Sequence, residues 1–220
     1  IRDRSLKAQG SVAKLQLDSQ FSDLIEAKLS GELQPLEPTL PFDLLLEDGQ
    51  AQWPLTGKSD YQAEIERFKA DGSLDGFNVQ LKGEADGKEI PALAIDLQGK
   101  GTTEQIELER LKLNTLGGEL NGTVKANWAK LVNWQADVSL KDIQPGLQWP
   151  EAEGNISGSL VTSGELTEAG GWAIELPKLD IEGILRDYPL DIEGQLSASD
   201  RSASGEPKLK TSGLSLAHGV

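Results

Sequence analysis

A chain of 220 residues with 36 acidic and 21 basic side chains carries a formal charge of −15, which repels a phosphate backbone or an anionic membrane surface and argues against a nucleic-acid partner. Cysteine is absent, so there is no disulfide framework, thiolate chemistry or cysteine zinc site, a composition that suits the cytosol and the bacterial periplasm alike. The longest apolar runs, Leu44-Leu45-Leu46 and Pro91 to Ile95, fall far short of the roughly 18 residues that cross a bilayer as a helix.

The chain opens at Ile1-Arg2-Asp3 and stops at Ala217-His218-Gly219-Val220, and it reads as one β-rich piece, residues 1–220, excised from a longer protein. Sheet edges exposed by excision invite edge-to-edge self-association. The Pro-rich stretch from Leu36 to Pro41 is the one place where a boundary between sub-blocks is expected.

Alternation with a period of two dominates, the mark of strands with one buried and one wet face. In Ile25-Glu26-Ala27-Lys28-Leu29-Ser30-Gly31-Glu32-Leu33 the apolar phase is Ile25, Ala27, Leu29 and Leu33. Ser59-Asp60 could cap a short helix through Tyr61, Ile65 and Phe68, but Tyr61, Ala63 and Ile65 also alternate, and strand is the expectation there. Further along, the apolar phase continues as Leu93, Ile95 and Leu97, then Ile106 and Leu108. At Glu109-Arg110 it slips by one residue before resuming at Leu111 and Leu113, which predicts a β-bulge. It runs on through Leu120, Val124 and Ala126, Val138 and Leu140, Ile156 and Leu160, Leu179, Ile181 and Leu185, and ends with Leu190, Ile192 and Leu196.

Turns are expected at Asp48-Gly49, Asp71-Gly72, Asp86-Gly87, Gly117-Gly118, Pro145-Gly146 and Gly170-Gly171. A loose repeat places a glycine on the apolar phase, as in Leu29 to Leu33, Leu120 to Val124, Ile156 to Leu160, Ile181 to Leu185 and Ile192 to Leu196. A strand glycine packs nothing and costs entropy. Either it relieves crowding where the sheet bends, or it leaves room for something on that face. Many short strands with regular turns allow a sandwich, barrel, solenoid or long open sheet.

Catalytic signals are weak. Asp71-Gly72-Ser73-Leu74-Asp75-Gly76 opens like a calcium loop, but Lys82 stands where the closing bidentate Glu belongs, and a β-turn is the better reading. Ser11-Val12-Ala13-Lys14 has the spacing of a serine nucleophile motif without its helix or partner motifs. The single His218 cannot build a zinc site, and no carboxylate pair stands out among the wet-phase acids. No metal, cofactor or catalytic residue is expected. Trp53, Trp128, Trp134, Trp149 and Trp172 suit edge or turn anchors with one wet end, or else sugar-stacking platforms. The latter would make the chain an adhesin-like or carbohydrate-binding β-solenoid.

The block Leu111-Lys112-Leu113-Asn114-Thr115-Leu116-Gly117-Gly118-Glu119-Leu120-Asn121-Gly122-Thr123-Val124, with Trp128, Trp134 and Pro145-Gly146 after it, resembles the TamB family of AsmA-like translocation and assembly proteins of Gram-negative bacteria. The likeness continues through Gly171-Trp172 to Gly183 and Tyr188-Pro189 to Gly194, and is clearest from about Ser73 to Ser199. It implies a periplasmic segment of a protein anchored in the inner membrane, whose other regions meet a TamA-type outer-membrane barrel. It also implies a fold: an all-β, long, curved, mostly antiparallel or mixed sheet rolled into an open trough with an apolar inner face. The implied activity is to conduct phospholipid between the membranes, or to help outer-membrane proteins assemble. With 24 glycines and only 5% aromatic residues, an aliphatic, glycine-thinned wall suits such a trough better than a sandwich core. On this reading the apolar-phase residues named above, Ile25 to Leu196, line a groove for acyl chains.

Overall fold

The computed structural model of the protein describes residues 5–11, 14–21, 25–54, 58–166, 170–200, 203–205 and 208–209. They form fifteen strands: β1 (Ser5–Ser11), β2 (Lys14–Phe21), β3 (Ile25–Leu33), β4 (Phe42–Trp53), β5 (Tyr61–Ser73), β6 (Gly76–Gly87), β7 (Leu93–Gly101), β8 (Gln105–Thr115), β9 (Gly118–Asn127), β10 (Asn133–Ile143), β11 (Gly154–Leu166), β12 (Trp172–Leu185), β13 (Tyr188–Ser199), β14 (Ala203–Gly205) and β15 (Lys208–Leu209). All fifteen belong to one sheet whose order follows the sequence from β1 to β14, with β15 beside β14 on β13. Every ladder is antiparallel. The meander does not close, since β1 pairs only β2 and the other edge ends on β14 and β15. It is an open antiparallel trough, and of the two arrangements the sequence allowed, the mixed sheet does not occur among the described residues.

Local chemistry explains the reversals. Leu116-Gly117 and Arg186-Asp187 each take positive φ at both positions, 50° and 73°, then 52° and 66°. These are two-residue turns of the type whose twist matches flanking strands. Between β3 and β4, Gln34 N donates to Pro41 O at 2.9 Å and closes the Pro-rich loop, so the strands on either side pair directly.

Two expected turns fall in the body of strands instead, and a third, Asp86-Gly87, forms the last two residues of β6. Asp48-Gly49 sits in the middle of β4, where Asp48 has φ 51° and the register against β3 shifts. It is a bulge: a short polar residue that tolerates the left-handed region re-aims the strand without ending it. Asp71-Gly72 lies in β5, and the chain reverses two residues later, between Ser73 and Gly76. The expected bulge at Glu109-Arg110 is present, and others interrupt β5 near Glu66, β10 near Asp142 and β12 at Pro177-Lys178. Proline, which cannot donate to a ladder, is tolerated in a central strand at such a bulge.

The fold has one layer. Along β6 and β10 exposed and half-buried residues alternate. Across the described residues only Ala27, Ala70 and Ile143 count as buried apolar side chains, and none is completely enclosed. A sandwich of this size would enclose dozens. The apolar face is therefore sheltered by its own curvature and by neighbouring side chains, and among the described residues no second sheet lies across it.

Candidate functional site

Cross-strand register decides which side chains share a face, because directly opposed residues point the same way. One row can be followed through eleven strands, from Leu29 through Leu46, Phe68, Leu81, Leu97, Leu111, Gly122, Val138, Leu160 and Leu179 to Gly194. At roughly 4.8 Å per strand this row is about 48 Å long. A second row runs beside it: Ile65, Gly83, Ile95, Leu113, Leu120, Leu140, Gly158, Ile181 and Ile192.

All of the apolar-phase residues read from the sequence fall on this face by register. Twelve lie in the two rows. Leu33, Ile106 and Ala126 share a row at one end of the strands. Leu108 opposes Val124, Ile156 and Leu190 both flank Gly183, Leu196 opposes Leu176, Leu93 opposes Ala85, and Leu185 opposes Gly154. Ile25 opposes Ala51, and Ala27 is two residues on. Outside the bulges, the register from β3 to β13 places no charged residue on this face among the described residues, and its hydroxyls are those of Thr115, Thr162 and, at the strand ends, Tyr61 and Tyr188. It is a continuous apolar wall.

Reading the sequence alone missed the stretch between Leu33 and Leu93, where β4, β5 and β6 add Leu44, Leu46, Ile65, Phe68, Val79 and Leu81. Phe77, Val79 and Leu81 alternate cleanly and were available as a signal. In β4 the triple Leu44-Leu45-Leu46 hides the phase, and in β5 the bulge breaks it.

Four of the five repeat glycines lie where strands approach too closely for a side chain. A Cβ at Gly31, Gly122, Gly158 or Gly183 would meet the neighbouring strand's backbone well inside 3.0 Å. Gly31 and Gly183 also hold φ near 149° and 146°, which a side chain would strain. Crowding relief on the concave side accounts for them.

The opposite face is charged. Lys100 reaches Glu109 at 2.6 Å and Glu107 at 3.7 Å, Lys125 reaches Glu107 at 2.8 Å, Arg110 reaches Asp96 at 2.8 Å, Lys82 reaches Glu66 at 2.7 Å, and Lys112 pairs with Glu119. The Lys125 ammonium bonded to Glu107 holds that carboxyl below the usual glutamate range, and Lys112 does the same for Glu119. The bond to Glu109 raises Lys100, and the bond to Glu66 raises Lys82. These are ion pairs of a wet surface and not poised acids or bases. A concavity of about 610 Å³ on this side includes Asn78, Gln105, Asn127 and Gln135 around the Lys100, Glu107 and Lys125 cluster.

The structure places the remaining candidates in the sheet or at its rims, His218 excepted. Asp71 belongs to β5, accepts from Asn78 Nδ2 at 3.1 Å and pairs with Lys69. Ser11 ends β1 opposite Lys14, whose ammonium meets Glu32 at 2.8 Å. His218 lies outside the described residues. Trp53, Trp128, Trp149 and Trp172 are exposed at strand ends or in connections, Trp128 donating its Nε1–H to Thr103 O at 2.7 Å. Trp134 is half-buried against Gly164.

Residues 3–220 match the sequence family described as TamB, N-terminal domain. The chain is also 25% identical over 211 residues to the translocation and assembly module subunit TamB of Haemophilus influenzae, a match covering 94% of this chain and 16% of that protein. The chain thus spans about a sixth of that relative's length. No solved structure matches.

Proposed function

The chain belongs to the TamB N-terminal domain family, and from that premise we propose that it is a non-enzymatic stretch of periplasmic trough that conducts phospholipid acyl chains along its inner face. The observation that carries this reading is the wall itself: a row without charge over eleven strands, covered by no second layer among the described residues. Exposing an acyl chain to water costs about 0.8 kcal/mol per CH₂, on the order of 12 kcal/mol for sixteen carbons. An apolar surface spanning the aqueous gap removes most of that barrier with no chemistry and no fixed contacts.

Acyl chains suit this wall better than an unfolded polypeptide does. The ladders consume the backbone donors and acceptors, and the side chains of the face offer almost none. A peptide laid there would leave its own amides unsatisfied, at a cost of several kcal/mol for each, whereas a hydrocarbon chain has no such groups. In the full-length protein, regions outside this segment would reach the inner-membrane anchor and the TamA-type barrel, and assembly of outer-membrane proteins would follow from lipid supply. The carbohydrate-binding alternative loses support because the tryptophans lie dispersed along two strand-end rims and form no single platform.

A photo-crosslinking residue at Ile181 or Ile192 should capture phospholipid in cells, and one at Glu182 or Glu193 should not. Equal capture at all four positions, or none at any, contradicts the proposal.

A further inference from the structure

Among the described residues, the aromatic side chains gather at the lips of the trough, Phe68 excepted. The chain has five Trp, two Tyr and four Phe, of which the Phe21 side chain lies outside the described residues. Of the other ten, nine stand at the lips, within two residues of a strand end or in a connection. Phe42, Phe77, Trp134 and Trp172 lie on the inner phase at one lip, with Trp128 in a connection beside them. Trp53, Tyr61 and Tyr188 lie on the inner phase at the other lip, with Trp149 in the adjoining connection. Phe68 alone sits mid-strand. The other large exposed apolar residues, Leu36, Leu74, Ile90, Val132, Leu147, Leu166 and Ile184, also lie at the lips.

A wall selected only for packing would place its largest side chains where burial is greatest. This one is aliphatic in the middle and aromatic at both margins. Several of the rings lie over a glycine of the neighbouring strand: Phe77 over Gly101, Trp134 over Gly164 and Tyr61 over Gly87, each so close that a Cβ there would collide with the ring. Indole and phenol prefer a boundary with one apolar and one wet side. Taken over the sheet, the strand direction runs from a polar margin with aromatics through an aliphatic middle to a second such margin. β4 carries an aromatic at both ends, and β5, β6, β10, β12 and β13 at one, a distribution like that met on crossing a bilayer through its two aromatic belts.

We infer that the lips are interfacial belts. On the conduit reading, on which this rests, a diacyl phospholipid lies with its chains on the aliphatic floor and its glycerol-ester boundary against the lip rings, so its headgroup stays in water. The floor then sets how a chain slides, and the lips set how deep the molecule sits.

Native emission reports the lips, because all five tryptophans are there. The 220-residue chain is loaded from phosphatidylcholine vesicles whose acyl chains are brominated either next to the ester or near the chain terminus, and tryptophan quenching by retained lipid is compared. The expected result is a loss of emission about twofold greater for bromine next to the ester, the depth at which interfacial indoles sit. Phe68→Trp adds a reporter on the floor, and its added emission should be quenched in the opposite order. Equal quenching by both lipids, or the terminal bromine winning at the native tryptophans, overturns the belts and leaves the conduit intact. Absence of retained lipid and of quenching with either probe overturns the conduit reading as well.

Discussion

The two faces of this sheet are made by the same strands and closed by the same ladders, and they differ only in the phase of a residue. On the inner phase, Leu97, Leu111 and Val138 stand half-buried in a row without charge. One residue away, Arg110, Lys100 and Glu107 form ion pairs in water. An ordinary domain hides its apolar face under another layer, and stability depends on that cover. Here no second layer among the described residues covers it, so backbone geometry has to carry much of the specificity that core packing supplies elsewhere. The two faces should therefore answer mutation on different scales, and the crease glycines should answer most strongly.

The largest effect is expected at Gly158. A Cβ there would meet Asp180 O and Ile181 Cα inside 3.0 Å, both of them backbone. Gly158→Val should cost on the order of 3 kcal/mol or prevent folding, the range of overpacking and strained backbone. At Gly76 a Cβ would meet no heavy atom within 4 Å, so Gly76→Ala should change the urea midpoint by less than about 0.5 kcal/mol equivalent. Similar losses at both sites would mean that the crease is not a structural constraint.

Next comes Ile192→Asp, paired with Glu193→Ala on the other phase. Against an open wall the new carboxylate stays hydrated, and the loss is roughly 1–2 kcal/mol of apolar contact. In a closed core it would be stranded and cost several kcal/mol. Glu193→Ala should be close to neutral. Outright unfolding of Ile192→Asp would show that the face is covered in solution.

These positions also show what the sequence could and could not say. Strict alternation made Leu93 to Leu97 and Leu190 to Leu196 legible, because a period of two has one meaning when one side is wet. The slip at Glu109-Arg110 was visible because apolar residues flank it on opposite phases. Asp48-Gly49 misled, since the same pair builds a turn or a left-handed bulge residue, and only the strands on either side decide which. The close approach at Gly158 is set by how β11 lies against the next strand, β12, which the pattern around Gly158 itself does not record. The aromatic margins were hidden for a similar reason: a tryptophan's place at a lip depends on where its strand ends, and several ends were displaced by bulges.

The smallest effect belongs to the outer face, and its sign can be worked out. Lys125 and Lys100 hold the folded-state pKa of Glu107 below its ordinary value, as Lys112 and Asn121 do for Glu119. A depressed carboxyl contributes stability that is present above its unfolded pKa and lost as pH falls through the folded one. Lys100 and Lys82 are raised by Glu109 and Glu66, so their contribution is full below the ordinary lysine value and lost as pH rises through the raised one. The chain's −15 charge works against the acid limb, because protonating other acids relieves repulsion across the whole surface. A simple melting curve against pH mixes the two effects, and a variant separates them. Glu107→Gln removes the local pairing and only one charge of the background, so it should flatten the acid-side fall in melting temperature by the same small amount that it lowers stability at neutral pH. Molar salt, with a Debye length of about 3 Å, should shrink even that difference. If Glu107→Gln at neutral pH cost as much as Ile192→Asp, the outer face would be structural in its own right, and the division of labour between the two faces would fail.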